Sequence, residues 1–135
     1  MNHNKHTLVG VLGAIAVAFG ALGAHFLKQK MQLGLITPDQ LNGFDTGVKY
    51  QMYHVIMMLV LILWYQTSPH KYLIWAYHCF LTGIILFSGS LYFLCTRNLF
   101  NADWLKVLGP ITPLGGLFFI AGWIFIALVG LQKKV

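Results

Sequence analysis

Four stretches without an acidic or basic side chain divide this chain: Thr7 to Leu27, Tyr50 to His70, Tyr72 to Thr96 and Val107 to Gln132. Each is at least as long as the roughly 20 residues that carry a helix across ~30 Å of hydrocarbon. A charge at that depth is expensive, so the charged residues outline the ends of spans. Leu, Ile, Val, Phe, Ala, Gly and Met fill the stretches, without the alternating segments of about ten residues that barrel strands need. A soluble fold is excluded by composition. Of 135 residues, 58% are apolar and 9% charged, against about 45–50% and ~25% in ordinary soluble domains, and the mean hydropathy is +0.70. Nine Lys/Arg and three Asp/Glu cannot cover a soluble surface of this size. The expectation is an all-α, polytopic membrane protein with a single domain over residues 1–135. Its four transmembrane helices, at about 7–27, 48–66, 70–96 and 111–132, form an antiparallel bundle.

The connections support this division. In Thr37-Pro38-Asp39-Gln40, Thr is a good N-cap, Pro a good first helical residue, and Gln completes a capping box. Leu41, Phe44 and Val48 then fall at i, i+3 and i+7, which predicts a short amphipathic helix at the interface in loop one, with Gly43 and Gly47 allowing a bend before the second span. Thr67-Ser68-Pro69 predicts a cap and a first-turn proline, hence a tight hairpin between spans two and three. Pro110 and Pro113 mark the entry to span four. The N-terminal apolar run ending Ala21-Leu22-Gly23-Ala24 imitates a secretory signal, but it is longer than a signal core, so a retained first span is expected.

The net charge of +6 comes from basic residues scattered among apolar segments. That pattern suits anionic lipid headgroups and not nucleic acid. With four spans, Lys5, Lys71, Lys133 and Lys134 share one side of the membrane, and Lys28, Lys30, Lys49, Arg97 and Lys106 the other. The basic residues do not decide orientation, and the three aspartates, all on the second side, count little in it, so cytoplasmic termini are only a slight preference. Cys79 and Cys95 stand about 24 Å apart on one helix, too far to bridge.

Gly10, Gly13, Gly20 and Ala24 form a small-residue stripe on span one, and Gly89, Gly115 and Gly116 offer small surfaces on spans three and four. In lipid, close backbone approach is a principal attraction between helices, within one bundle or between copies in a homo-oligomer. Tyr50, Tyr53, Tyr92 and Trp104 at one interface, and Trp64, Tyr65, Tyr72 and Trp75 at the other, read as aromatic belts.

Span direction places His25, Gln51, His54, Ser88, Ser90, Tyr92 and Thr112 in the same half of the bilayer. Tyr50 and Gln51 lie at i, i+4 and i, i+3 spacing from His54 and share its face. The cluster is either a network of interhelical hydrogen bonds or a polar pocket for a small molecule, lipid headgroup or ion. His25 and His54 could approach across helices, which keeps a haem or metal redox protein among the alternatives, although two histidines without Cys or carboxylate support make a poor metal site. No catalytic residue, metal site or cofactor is expected. The carboxylates Asp39, Asp45 and Asp103 sit in loops or at helix ends, and no phosphate loop, nucleophile elbow or zinc motif occurs. The functional expectation is a non-enzymatic binding or scaffold protein whose partners are membrane lipids and a small-molecule or lipid ligand. A small oligomeric transporter or channel is the other alternative.

Four ordered blocks carry a family resemblance: Gly20-Ala21-Leu22-Gly23-Ala24-His25, Thr46-Gly47-Val48-Lys49-Tyr50-Gln51-Met52-Tyr53-His54, Phe87-Ser88-Gly89-Ser90-Leu91-Tyr92, and Gly109-Pro110-Ile111-Thr112-Pro113-Leu114-Gly115-Gly116 with Gly122-Trp123. Together they resemble the YgdD and transmembrane protein 256 family, with Leu22 and Phe26 standing where its first block has phenylalanine and glycine. The resemblance implies a small four-helix integral membrane protein, in bacteria of the cytoplasmic membrane. It implies no substrate or reaction. Its motif residues coincide with the polar cluster around His25, Gln51, His54, Ser90 and Tyr92.

Overall fold

The structure, a computed structural model, describes residues 3–131. The side chain of His3 and the expectations placed on Gln132, Lys133 and Lys134 fall outside that description. Four helical spans follow in order: α1 (Asn4–Gln32), α2 (Pro38–Thr67), α3 (Lys71–Phe100) and α4 (Asp103–Leu131). Each has 29 or 30 residues, about 45 Å of helix, so their ends reach the headgroups. No strand occurs among the described residues.

The local signals act at different places from those expected. At the start of α2 the capping box forms: Gln40 N–H donates to Thr37 Oγ1 (3.1 Å) and Thr37 N–H to Gln40 Oε1 (2.9 Å). The helix then runs unbroken to Thr67, so the expected interfacial helix is simply its first turns. Gly43 and Gly47 serve contact instead: a Cβ on Gly43 would lie 2.6 Å from Cys95 Sγ, and one on Gly47 3.1 Å from the Tyr92 ring. In the hairpin, Thr67 ends α2, and His70 caps α3 by accepting from Tyr72 N–H at Nδ1 (3.1 Å). Pro69 therefore precedes the helix and does not sit in its first turn. The start of α4 is a 3-10 helix over Asp103–Leu108, and α-helix begins at Ile111 with Pro113 in its first turn. Single π-helical turns interrupt α1 at Gly23–Leu27 and α3 at Ile84–Ser88.

Packing is extensive between α3 and α4, between α1 and α2, and between α2 and α3, with no comparable contact between α1 and α4. The central pair α2/α3 is thus flanked by the other two helices on opposite sides. The α3/α4 seam is a zipper of phenylalanine against glycine. Phe80 covers Gly122, Phe119 covers Gly83, and Gly115 meets the backbone of Phe87. The three contacts keep one antiparallel register, each step of three or four residues along α3 matched by the same step back along α4. Any Cβ at these glycines would overlap its neighbour.

The α1 stripe is rotated from its expected position. Val9, Ala16, Gly23 and Leu27 are buried, Gly13 and Gly20 make ordinary contacts with Val55 and Val48 at 3.5 Å, and Gly10 and Ala24 face outward. Gly89 also packs against no other helix: a Cβ there would meet only the carbonyl of Ile84, at 4.0 Å, in the π turn before it. Two apolar clusters fill the interior. One, around Met58, Leu61, Ile62, Leu73 and Phe80, lies towards loop two; the other, Leu27, Ile36, Phe44 and Cys95, lies towards loops one and three. Between them is a layer containing Gln51, His54, Ser88 and Ser90, all buried.

Candidate functional site

The polar layer follows from α2 and α3 crossing the membrane with polar residues at one depth, where each group must find a partner because lipid supplies none. Gln51 donates from Nε2 to the carbonyl of Leu12 on α1 (2.7 Å) and accepts at Oε1 from the Tyr92 hydroxyl on α3 (2.8 Å). Ser88 donates to the carbonyl of Gly47 (2.7 Å), which the missing Cβ leaves within reach. Ser90 and Thr112 share a hydrogen bond of 2.6 Å between α3 and α4. Tyr92, expected in an aromatic belt, is interior: its ring meets Phe19 edge-on at 4.7 Å and Phe44 at 5.0 Å.

His54 has a different setting. Its Nδ1–H donates to the carbonyl of Tyr50 one turn earlier (2.7 Å), and its Nε2 accepts from Trp123 Nε1–H on α4 (3.3 Å). A carbonyl can only accept and an indole N–H can only donate, so these partners select the neutral tautomer with its proton on Nδ1. The ring stacks on Phe119 at 3.6 Å between centroids and 6° between planes, and lies 5.0 Å from Phe80. Its residue is only 4% exposed.

Beside this ring lies a groove of about 620 Å³ between α2 and α4, lined among others by Tyr50, Tyr53, His54, Phe87, Phe119 and Trp123. It exists because α2 and α4 both pack on α3 while their own backbones stay apart, the two helices meeting here through His54 against Phe119 and Trp123. Exposed Tyr53, Leu117 and Ile120 form its outer edges, so it opens sideways to the surroundings of the bundle.

Of the seven residues expected to form a polar pocket, only His54 lines this groove. Gln51, Ser88, Ser90, Tyr92 and Thr112 bond across helix interfaces. His25 stands apart from them, exposed on the outside of α1 beside Lys28 and Gln29, and does not meet His54. Among the described residues no three His, Cys, Asp or Glu side chains come together as metal ligands would, and Cys79 and Cys95 are both free. Sequence reasoning missed Phe119 and Trp123. Their i, i+4 spacing mirrors that of Tyr50 and His54, a signal that two aromatic faces exist but not that they face each other.

Comparison with known proteins agrees with this architecture. The family model described as "Protein of unknown function (DUF423)" matches residues 19–116. A UPF0382 membrane protein of Haemophilus influenzae is 38% identical over 132 residues, 97% of each chain. The UPF0382 membrane protein YwdK of Bacillus subtilis is 39% identical over 90% of this chain and 94% of its own. The UPF0382 inner membrane protein YgdD of Escherichia coli is 32% identical over 92% of this chain and 86% of its own. No solved structure matches. The matched region runs from the middle of α1 to the middle of α4 and so takes in Gln51, His54, Ser88, Ser90 and Tyr92, and with these relatives it places the chain in the DUF423 (UPF0382) family of membrane proteins.

Proposed function

We propose that this membrane protein is a non-enzymatic binding protein that takes an apolar or amphiphilic molecule sideways from the bilayer into the groove between α2 and α4. The observation that carries this reading is the groove itself, with a nearly buried imidazole in its wall. Aromatic walls with a few placed polar groups are what small-molecule sites usually offer. Here the polar groups are His54 Nε2, the Trp123 N–H and the tyrosine hydroxyls of Tyr50 and Tyr53. Trp123 reaches His54 with a long bond of 3.3 Å, so a ligand hydroxyl or N–H competes for Nε2 at small cost, while the ring planes of Tyr50, Phe87 and Phe119 favour a flat apolar body. The remaining polar residues belong to the scaffold that holds the groove open.

Gentle purification followed by native mass spectrometry tests this. A bound molecule is expected on the wild type and lost from Gly116→Leu, since Gly116 lines the groove and a Cβ there meets only the Phe87 ring at 3.8 Å. Retention should survive Ser90→Ala, which alters the scaffold alone. A ligand that stays on Gly116→Leu, or no ligand at all on the wild type, is evidence against the groove as the binding site.

A further inference from the structure

A second site, independent of the groove, emerges from accounting for charge at the loop-one and loop-three end. Three aspartates and five cations lie there. Asp45 pairs with Lys49 (2.6 Å) and Asp103 with Lys106 (3.2 Å), while Asp39 sits in the first turn of α2. Lys28, Lys30 and Arg97 have no carboxylate partner among the described residues. Arg97, half-buried at the end of α3, is also fixed by hydrogen bonding: its Nη1 donates to the carbonyl of Leu94 (2.6 Å), and its Nε–H is closed off from outside without an acceptor. A guanidinium held at a membrane boundary without a counterion is costly, and among the described residues no carboxylate pairs with it.

The surroundings of Arg97 share this surplus of donors. Asn98 donates from Nδ2 to Gln40 Oε1 (3.1 Å), an oxygen already taken by the Thr37 N–H of the capping box. Gln40 cannot be turned over without breaking that box, so its Nε2 is left as a buried donor with no acceptor, in a residue only 6% exposed. Two cavities meet at Asn98 and Asn101. One, of about 280 Å³, holds Arg97 and Asp103; the other, of about 410 Å³, holds Lys30 with Phe26, Leu35 and Phe100. The carboxylate on the rim, Asp103, is already neutralised by Lys106. Phe100 and Leu35 are exposed, and Lys30 lies over the Phe26 ring at 5.0 Å.

We propose that this double cavity seats an anionic phospholipid, its phosphate between Arg97 and Lys30 and the first carbons of an acyl chain over Phe26, Leu35 and Phe100. A planar guanidinium matches a phosphate with two parallel hydrogen bonds, and a flexible lysine adds a second charge. The adjoining apolar side chains distinguish a lipid from a free oxyanion, which has nothing to place there.

The test compares lipids on the purified full chain in detergent by native mass spectrometry. Wild type is expected to retain phosphatidylglycerol over phosphatidylcholine by about tenfold, the scale of one strong charge-assisted contact. Arg97→Gln should remove most of that preference, and Lys71→Gln, a cation at the opposite membrane face, should leave it intact. Lys30→Gln provides the second variant: a lowered preference is expected there whether or not Arg97→Gln folds. Equal retention of the two lipids overturns the proposal. So does an unchanged preference in Lys30→Gln, or a loss in Lys71→Gln as large as at Arg97. If millimolar inorganic phosphate displaces phosphatidylglycerol completely, the site takes a free oxyanion and the assignment to lipid fails.

Discussion

With its two polar ends on two other helices, Gln51 ties α1, α2 and α3 through one side chain. Gln51→Leu keeps the volume and removes both bonds, leaving the Tyr92 hydroxyl without its acceptor inside the bundle. Hydrogen bonds in membrane proteins average about 0.6 kcal/mol, and a buried orphaned group adds about 1–3 kcal/mol, so a loss of roughly 2 kcal/mol is expected. Reversible unfolding in mixed micelles measures it. Ser88→Ala should cost less, about 1 kcal/mol, because the Gly47 carbonyl it leaves can still serve within the helix. At this scale the sequence was informative about depth but not direction: His25 shares the half of the bilayer expected for it, yet α1 turns it outward. One residue of helical rotation, 100° in an ideal α-helix, decides between a ligand and a lipid-facing side chain.

At the scale of elements, the Phe/Gly zipper sets how close α3 and α4 approach. Gly115→Ala places a methyl group against the backbone of Phe87, which cannot move without shifting its helix, and a loss of about 1–3 kcal/mol follows. Gly10→Ala meets nothing within 4 Å and gains helix propensity, up to ~1 kcal/mol. Thermal melting of the two variants in one detergent separates them, and equal effects would contradict the seam. The capping box at Thr37 is a smaller term, with Thr37→Ala costing about 1 kcal/mol. Glycines were legible as small surfaces, but their partners were not. Gly43 and Gly47 looked like bend sites because a glycine in isolation suggests flexibility, whereas α2 stays helical through both and the missing side chains admit α3.

For the whole molecule, α3 crosses the membrane once between Lys71, at its start, and Lys106, at the start of α4, and so puts them on opposite faces. On a background of Cys79→Ala and Cys95→Ala, an impermeant thiol reagent should label Lys71→Cys and Lys106→Cys from opposite sides of a sealed vesicle. Labelling of both from one side would refute the crossing by α3, and with it the four-span arrangement.

The count of spans is a property of the chain alone, because the cost of charge in hydrocarbon acts on each segment without reference to its neighbours. Which faces meet was decided only in the tertiary structure. With apolar side chains on every side of a helix and lipid as apolar as the protein interior, burial does not favour one rotation over another; shape does, and shape resides in pairs such as Phe80 with Gly122 that lie far apart in sequence. The groove beside His54 is the clearest consequence, since it depends on α2 and α4 each packing on α3 while their backbones stay apart and meet through His54, Phe119 and Trp123.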